Sequence, residues 1–395
     1  MEAAVRSALR PSSPFQLLDA APETRWGGWL PLPVSQRQGG AVTRHELGAT
    51  TMEITTVGLD LAKNVFQVHA IGSTGEVVVR RSLRRAQVIP FFSKLPPCLI
   101  GMEACGTSHH WARELVGLGH EVRLMPPAYV KPYVKRGKSD AGDAEAICEA
   151  VTRPTMRFVP IKSVEQQAAL ALHRTRDLLV RQRTQLVNMI RGLLAEFGID
   201  IPKGITNALA FVRRAVAGEA NEVPDLATKV IGALAEQAIE VQGRIRQLER
   251  DLLASYRSND LARRIATVPG VGLLGATAIA ATVTDPTQFR SGRQFAAWLG
   301  LTPLNNSSGG KERLGRISKM GDQYLRRLLV TGMTSLVRRN KHHPDSADPR
   351  INALLARKPL RLVTVAMANR AARAIWAIMV RGDVYRMPAL GSATA

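Results

Sequence analysis

The chain has 395 residues, 45% of them hydrophobic, which is room for two or three domains with packed cores. Its 54 Lys and Arg against 32 Asp and Glu leave a net charge of +22, which points to a polyphosphate partner, DNA or RNA, because each neutralised phosphate releases a counterion. Three cysteines without a CxxC spacing exclude a disulfide framework, and no unbroken apolar run reaches the ~18 residues of a spanning helix, so a cytoplasmic, nucleoid-associated protein that spans no membrane is expected.

Residues 1–52 are rich in Pro, Gly, Ser, Arg and Trp and keep no period; they read as a disordered leader, or as an extension ahead of a true start at Met52. Residues 53–160 read as an α/β domain. Short β-rich runs cover Ile54–Asp60, Val65–Ile71 and Glu76–Arg81, the last two joined by the turn Gly72-Ser73-Thr74-Gly75. Leu99–Glu103 is a further apolar run, Ser108–Leu118 a helix stopped by Gly119, Glu121–Met125 a strand, and Ala141–Val151 a helix that Ser139 can cap. Three consecutive strands followed by β/α units predict a mixed sheet.

Two of these runs end in an acid, Asp60 and Glu103, and Asp140 and Asp143 stand at i and i+3 on one face of a helix start. Any one of them alone reads best as a surface carboxylate or a cap. Together they are a hard oxygen donor set for divalent cations, Mg²⁺ foremost, which leaves room for phosphate and water. Two such ions can activate a nucleophile and stabilise a leaving oxygen in phosphoryl transfer. His109 and His110 are read as solvated or facing nucleic acid.

Residues 161–260 are predicted helical. Leu172, Leu179, Leu186 and Leu193 recur every seven residues, and Ile231, Leu234, Ala238, Val241, Ile245, Leu248 and Leu252 alternate spacings of 3 and 4, the seam of a coiled coil. The two helices can form a hairpin within the chain or pair between subunits, and the residues do not choose. Pro202, Gly204, Gly218 and Pro224 mark a loop-rich connection between them.

Residues 261–385 form a mainly α region, followed by a tail over 386–395. Val268-Pro269-Gly270-Val271-Gly272 and the small-residue helix after it read as a helix-hairpin-helix in which Gly270 and Gly272 offer backbone N–H groups to a phosphate; a plain packing joint is the other reading. An amphipathic helix, Phe295–Leu299, closes at Gly300. The loop Asn305-Asn306-Ser307-Ser308-Gly309-Gly310-Lys311 follows, and then Arg313, Arg316 and Lys319. From Pro286 to Gly382 there are 18 Lys and Arg against 4 Asp and Glu, which makes this the region for phosphate contact. Ser308, flanked by glycine and beside cations, has the setting of a phosphoryl-transfer nucleophile or of a hydrogen-bond donor to phosphate, and the residues leave the two even.

Taken together, these stretches resemble the DEDD transposases of insertion sequences, relatives of the Piv-type site-specific DNA invertases. The matching residues are Gly58-Leu59-Asp60-Leu61-Ala62-Lys63, Met102-Glu103-Ala104-Cys105-Gly106, Lys138-Ser139-Asp140-Ala141-Gly142-Asp143-Ala144, Pro269-Gly270-Val271-Gly272, and Leu299-Gly300-Leu301-Thr302-Pro303 with the serine loop. The resemblance runs from about Ile54 to about Arg381. It implies a RuvC-like domain of the RNase H superfold, a coiled coil and a C-terminal transposase domain. It also implies metal ligands at Asp60, Glu103, Asp140 and Asp143 and a nucleophilic serine at Ser308, with Ser307 one register away. That serine would form a phosphoserine link to DNA, with the metal site of a neighbouring subunit completing the centre in a dimer or tetramer. A structured non-coding guide RNA would pair with donor and target DNA. Two other functions stay in view: a metal-dependent RuvC-type nuclease that needs the four acids and not Ser308, and a non-catalytic nucleic-acid-binding protein. A Gly-x-Asp strand also opens actin-like sugar kinases, but those need a second glycine-rich half where this chain has basic helices.

Overall fold

The computed structural model describes residues 53–135, 137, 139–217, 223–306, 313–343 and 348–386. The chain divides at Met52, and every described residue belongs to the second unit.

The N-terminal part carries strands β1 (Thr56–Asp60), β2 (Val65–Ile71) and β3 (Val77–Arg84), helix α1 (Val88–Phe92), strand β4 (Leu99–Glu103), helix α2 (Ser108–Gly117), strand β5 (Glu121–Met125) and helices α3 (Pro127–Val130) and α4 (Asp140–Val151). The sheet order is β3-β2-β1-β4-β5. β1–β2 and β2–β3 pair antiparallel, while β1–β4 and β4–β5 pair parallel, so this is a mixed sheet. A register shift at Ala70/Ile71 and the extension of β3 to Arg84 make the hairpin longer than its apolar pattern. Glu76 falls outside the strand, its carboxylate accepting from the Thr74 amide in the turn. Ser139 caps α4, accepting from the Gly142 amide at 3.2 Å.

Helices α5 (Val164–Ala195), α6 (Ile205–Val216) and α7 (Asp225–Ser258) come next. α5 and α7 pack on each other as a hairpin within the chain, tied by Arg176 donating twice to Glu249 at 3.0 and 2.6 Å and by Arg183 to Gln242 at 2.5 Å. On α7 the expected seam is largely the buried one: Ile231, Ala238, Val241, Ile245 and Leu252. On α5 it is not. The heptad leucines are only half-buried, and the buried stripe is His173, Val187, Ile190 and Leu194. A straight helix advances 3.6 residues per turn, so a strict seven-residue repeat drifts off the buried face. The connection expected to be loop-rich holds α6. Its Gly and Pro residues bracket that helix instead of breaking it, and it buries Ala208 and Leu209.

The C-terminal part holds α8 (Asp260–Ile265), α9 (Leu273–Thr282), α10 (Gly292–Trp298), a two-stranded hairpin of β6 (Pro303–Asn305) and β7 (Leu314–Ile317), and α11 (Gln323–His342), α12 (Pro349–Leu355) and α13 (Leu360–Arg381). The hairpin corrects the mainly helical expectation locally. In α9 every residue from Gly275 to Ala281 is buried, which explains its run of small side chains. Among the described helices α13 alone is long and apolar enough to cross a membrane by length and composition; eight of its residues are buried, most of them in the core it shares with α10 and α11.

Candidate active site

The acids converge because of what their strands lack. Side chains alternate across a strand. Val57, Leu59, Ile100 and Met102 enter the core beneath α1 and α2, so Gly58, Asp60, Gly101 and Glu103 face the other side, where α4 packs on β1, β2 and β4. A Cβ on Gly58 would run into the Ala144 carbonyl oxygen and the Cys148 amide, and one on Gly101 would meet the Val151 side chain. Each glycine clears its strand for close approach of the helix. Two residues further along each strand, on the same face, stand Asp60 and Glu103. They are level with each other, since the parallel register pairs Leu59 with Met102. The first turn of α4 carries Asp140 and Asp143, close enough for their charges to act on Asp60. The carboxyl ends of parallel strands are the usual seat of ligands in such sheets.

The electrostatics record the crowding. Burial pushes the Asp60 carboxyl above its ordinary range, and Asp143 and Asp140 push it further, against a partial offset from the Leu61 amide. Glu103 is raised by burial, then by Asp60 and Asp143. None of the four carboxylates has an ion-pair partner within 4 Å among the described residues. Their chemistry, hard oxygen with no thiolate or imidazole, fits Mg²⁺, Mn²⁺ or Ca²⁺. No three of the described metal-binding side chains stand close enough to enclose an ion as they are. The Asp60 and Glu103 carboxyls feel the neighbouring acidic charges without closing on a common point.

The basic hairpin is held by a buried arginine that the sequence does not single out. Arg326 of α11 donates to the Leu299 carbonyl at 3.0 Å and the Met320 carbonyl at 2.7 Å, joining the end of α10 to the turn after β7. Across the hairpin the Asn306 amide donates to the Arg313 carbonyl at 2.9 Å. Arg313 and Arg316 are exposed; Lys319 is exposed too and takes a left-handed backbone, φ 54°. Ser307, Ser308 and Lys311 lie outside the described residues. Gly270, φ 80°, is half-buried, and a Cβ there would strike Met333, so this glycine packs the α8–α9 turn onto α11. Gly272 is exposed at the start of α9.

His109 is not solvated. It accepts from the Lys162 amide at 3.2 Å, and burial, then Lys162, Arg113 and Arg174, drive its pKa down to about 4. His110 is exposed and sits 3.7 Å from Glu114. His173, which carries no sequence signal beyond a helical position, is buried where α5, α9 and α11 meet. The Thr277 hydroxyl already donates to the Leu273 carbonyl, so it accepts from His173 Nε2 at 3.1 Å, leaving Nδ1 to accept from the Tyr324 hydroxyl at 3.0 Å. Burial, then Arg176, lowers its pKa to about 4. A base with a depressed folded pKa contributes stability that is complete above the unfolded value, 6.5, and is lost as pH falls toward 4. Thermal melts should therefore show wild type losing stability across that window, and His173→Asn losing less. Equal slopes would refute this account of His173.

Two family models match the chain. One, described as "Transposase IS116/IS110/IS902 family", covers residues 262–347; a DEDD transposase model of the IS110 type covers residues 57–199, which contain all four acids. A Pseudomonas aeruginosa protein named "Probable family 20 transposase" is 49% identical over 336 residues, spanning 85% of this chain and 99% of its own. The chain belongs to the IS110/IS116 family of insertion-sequence transposases. The transposase for insertion sequence element IS1111A of Coxiella burnetii is 39% identical, covering 85% of this chain and 92% of its own, and that of IS1328 from Yersinia enterocolitica is 37% identical, covering 84% and 98%. As a transposase the protein is an enzyme that cuts and rejoins DNA, and the DEDD type implies use of a divalent metal.

Proposed function

We propose that Asp60, Glu103, Asp140 and Asp143 form a RuvC-like metal centre that takes Mg²⁺, and that Ser308 is the nucleophile of a recombinase acting on donor and target DNA under a structured guide RNA. The observation that supports the acidic half is the charge coupling of Asp60 with Asp143 and Asp140, and of Glu103 with Asp60 and Asp143, where two glycines let α4 settle on the sheet. A bound divalent cation supplies Lewis-acid stabilisation of charge on phosphate oxygens. The chain's own groups do the rest. The Ser308 hydroxyl oxygen bonds to phosphorus as one P–O ester bond breaks. The serine proton passes to a carboxylate of the acidic centre, and the departing deoxyribose oxygen takes up a proton. Attack on the phosphoserine by another strand's hydroxyl reverses the step and frees the serine. Lys311, Arg313, Arg316 and Lys319 stabilise the phosphate charge, and the Gly270–Gly272 turn positions a duplex through its backbone. The acids of a neighbouring subunit complete the centre in a dimer or tetramer working on the nucleoid in the cytoplasm.

The test uses purified protein, Mg²⁺, RNA from the element's end and labelled junction DNA, denatured after reaction. DNA should remain attached to wild-type protein and be free in Ser308→Ala and Asp60→Ala. An adduct that survives Ser308→Ala and is lost in Ser307→Ala moves the nucleophile by one residue. Cleavage with no adduct, indifferent to Ser308→Ala but abolished by Asp60→Ala, overturns the serine mechanism and leaves a RuvC-like nuclease.

A further inference from the structure

Away from the acids, the C-terminal core opens into a cavity of about 560 Å³ beside the α8–α9 turn. Its walls are largely apolar, with Pro269 from the turn, Met333 from α11 and Met367 from α13, and Tyr385 lines it too. Three arginines line the same space: Arg339 of α11, and Arg370 and Arg373 of α13. Arg370 and Arg373 are three residues apart and share a helix face. None of the three guanidinium groups has a hydrogen-bond or ion-pair partner among the described residues. The one acid among the described lining residues, Asp348, accepts from the Arg350 amide at 2.9 Å as the cap of α12.

We propose that this cavity takes an unpaired nucleotide of a nucleic-acid strand, its base against the apolar wall and Tyr385 and its phosphates on Arg339, Arg370 and Arg373. The two halves of the lining demand the two halves of that ligand. An apolar metabolite has no use for three uncompensated cations, and an acidic peptide brings charge without a flat apolar body. A base has a π face that stacks on an aromatic ring regardless of sequence, and its phosphates suit guanidinium forks. A paired duplex is excluded because its bases are already stacked and must be unpaired and turned out to enter a pocket. The cavity is of the size that holds a ligand of this class. The assignment rests on family membership, which makes DNA the substrate, and is independent of the serine and of the metal.

The experiment measures binding of the full chain to a short fluorescent single-stranded deoxyoligonucleotide, its ribonucleotide counterpart and a duplex of the same length, over a series of salt concentrations. Ala374→Phe fills the cavity without changing charge. It should weaken single-strand binding about tenfold, in line with the loss of one stacked base, and leave duplex binding and the salt slope unchanged. The double variant Arg370→Gln/Arg373→Gln should reduce the single-strand salt slope by about 1–2. Whether the deoxy or the ribo strand is the more affected identifies the source. An oligonucleotide carrying 5-iodouracil, photolysed on the wild-type protein, reads the site without any core substitution and should crosslink to the peptide that contains Tyr385. Crosslinks mapping only elsewhere, or an Ala374→Phe protein with a wild-type melting curve whose single-strand affinity is unchanged or falls equally with duplex affinity, would overturn the proposal.

Discussion

Asp60→Asn should cut strand cleavage on the order of a thousandfold and, at neutral pH without divalent metal, melt at a higher temperature than wild type. Both effects have one source. Asp60 is half-buried among acids, and its carboxyl pKa lies above the ordinary value because burial, Asp143 and Asp140 all disfavour its charge. A carboxylate raised on folding opposes the fold fully above its folded pKa, and that penalty declines as pH falls below the folded value and is gone below the unfolded one. The amide of Asn keeps the shape and removes one of the mutually repelling charges, so the metal-free fold gains. The same amide is a poor ligand for a hard cation, so activity should fall on the order of a thousandfold. Added Mg²⁺ should raise the wild-type melting temperature, since an ion at a hundred times its Kd that binds only the folded state stabilises by about 2.7 kcal/mol, and should leave Asp60→Asn unmoved. The difference between wild type and each variant separates this term from the histidines by sign: acidification relieves the acid cluster, whereas it withdraws the stability held by neutral His109 and His173. An Asp60→Asn protein that melts below wild type without metal, or that still responds to Mg²⁺, would show that Asp60 is not part of a repelling, metal-seeking cluster.

What the sequence disclosed follows the range of the interactions involved. Strands β2, β4 and β5 and the cap of α4 are written in alternation, turn residues and one serine, all local signals. The places of the four acids, at two strand ends and in the first turn of a helix, were legible because a position at an element's end maps to a position at an edge. The α5 leucines misled because a seven-residue repeat does not say which flank of a straight helix is buried. His109, His173 and Arg326 were illegible for another reason. Their partners, Lys162, Tyr324, Thr277 and the carbonyls of Leu299 and Met320, come from other elements, and in all but one case lie far along the chain. Nothing in a neighbouring residue records such a contact. The β6–β7 pairing was hidden because the two strands are three and four residues long and exposed, with no alternation to betray them.

Gly58→Ala tests the architecture beneath the acids, and it should be far worse than Gly101→Ala although each adds one methyl group. At Gly101 the new Cβ meets the Val151 Cβ 2.7 Å away and its two γ-carbons at 3.1 Å, so the obstacle is one side chain and removing it makes room. At Gly58 it meets the backbone of α4, the Ala144 carbonyl oxygen and the Cys148 amide, which no side-chain change can trim. The helix must then lift from β1. Overpacking of this kind costs about 1–3 kcal/mol and sometimes more, and here the displaced helix also carries Asp140 and Asp143 away from Asp60. Gly58→Ala should therefore lower the denaturation midpoint and reduce cleavage further than its residual folded fraction explains, with weakened Mg²⁺-induced stabilisation as the sign that the acids have parted. Val151→Gly, which removes the Cβ that is struck, should rescue Gly101→Ala in a double-mutant cycle, while Cys148→Gly should fail to rescue Gly58→Ala, because there the clash is with backbone. If Gly58→Ala proves as stable and as active as wild type, then close contact between α4 and β1 is not what brings the four carboxylates together.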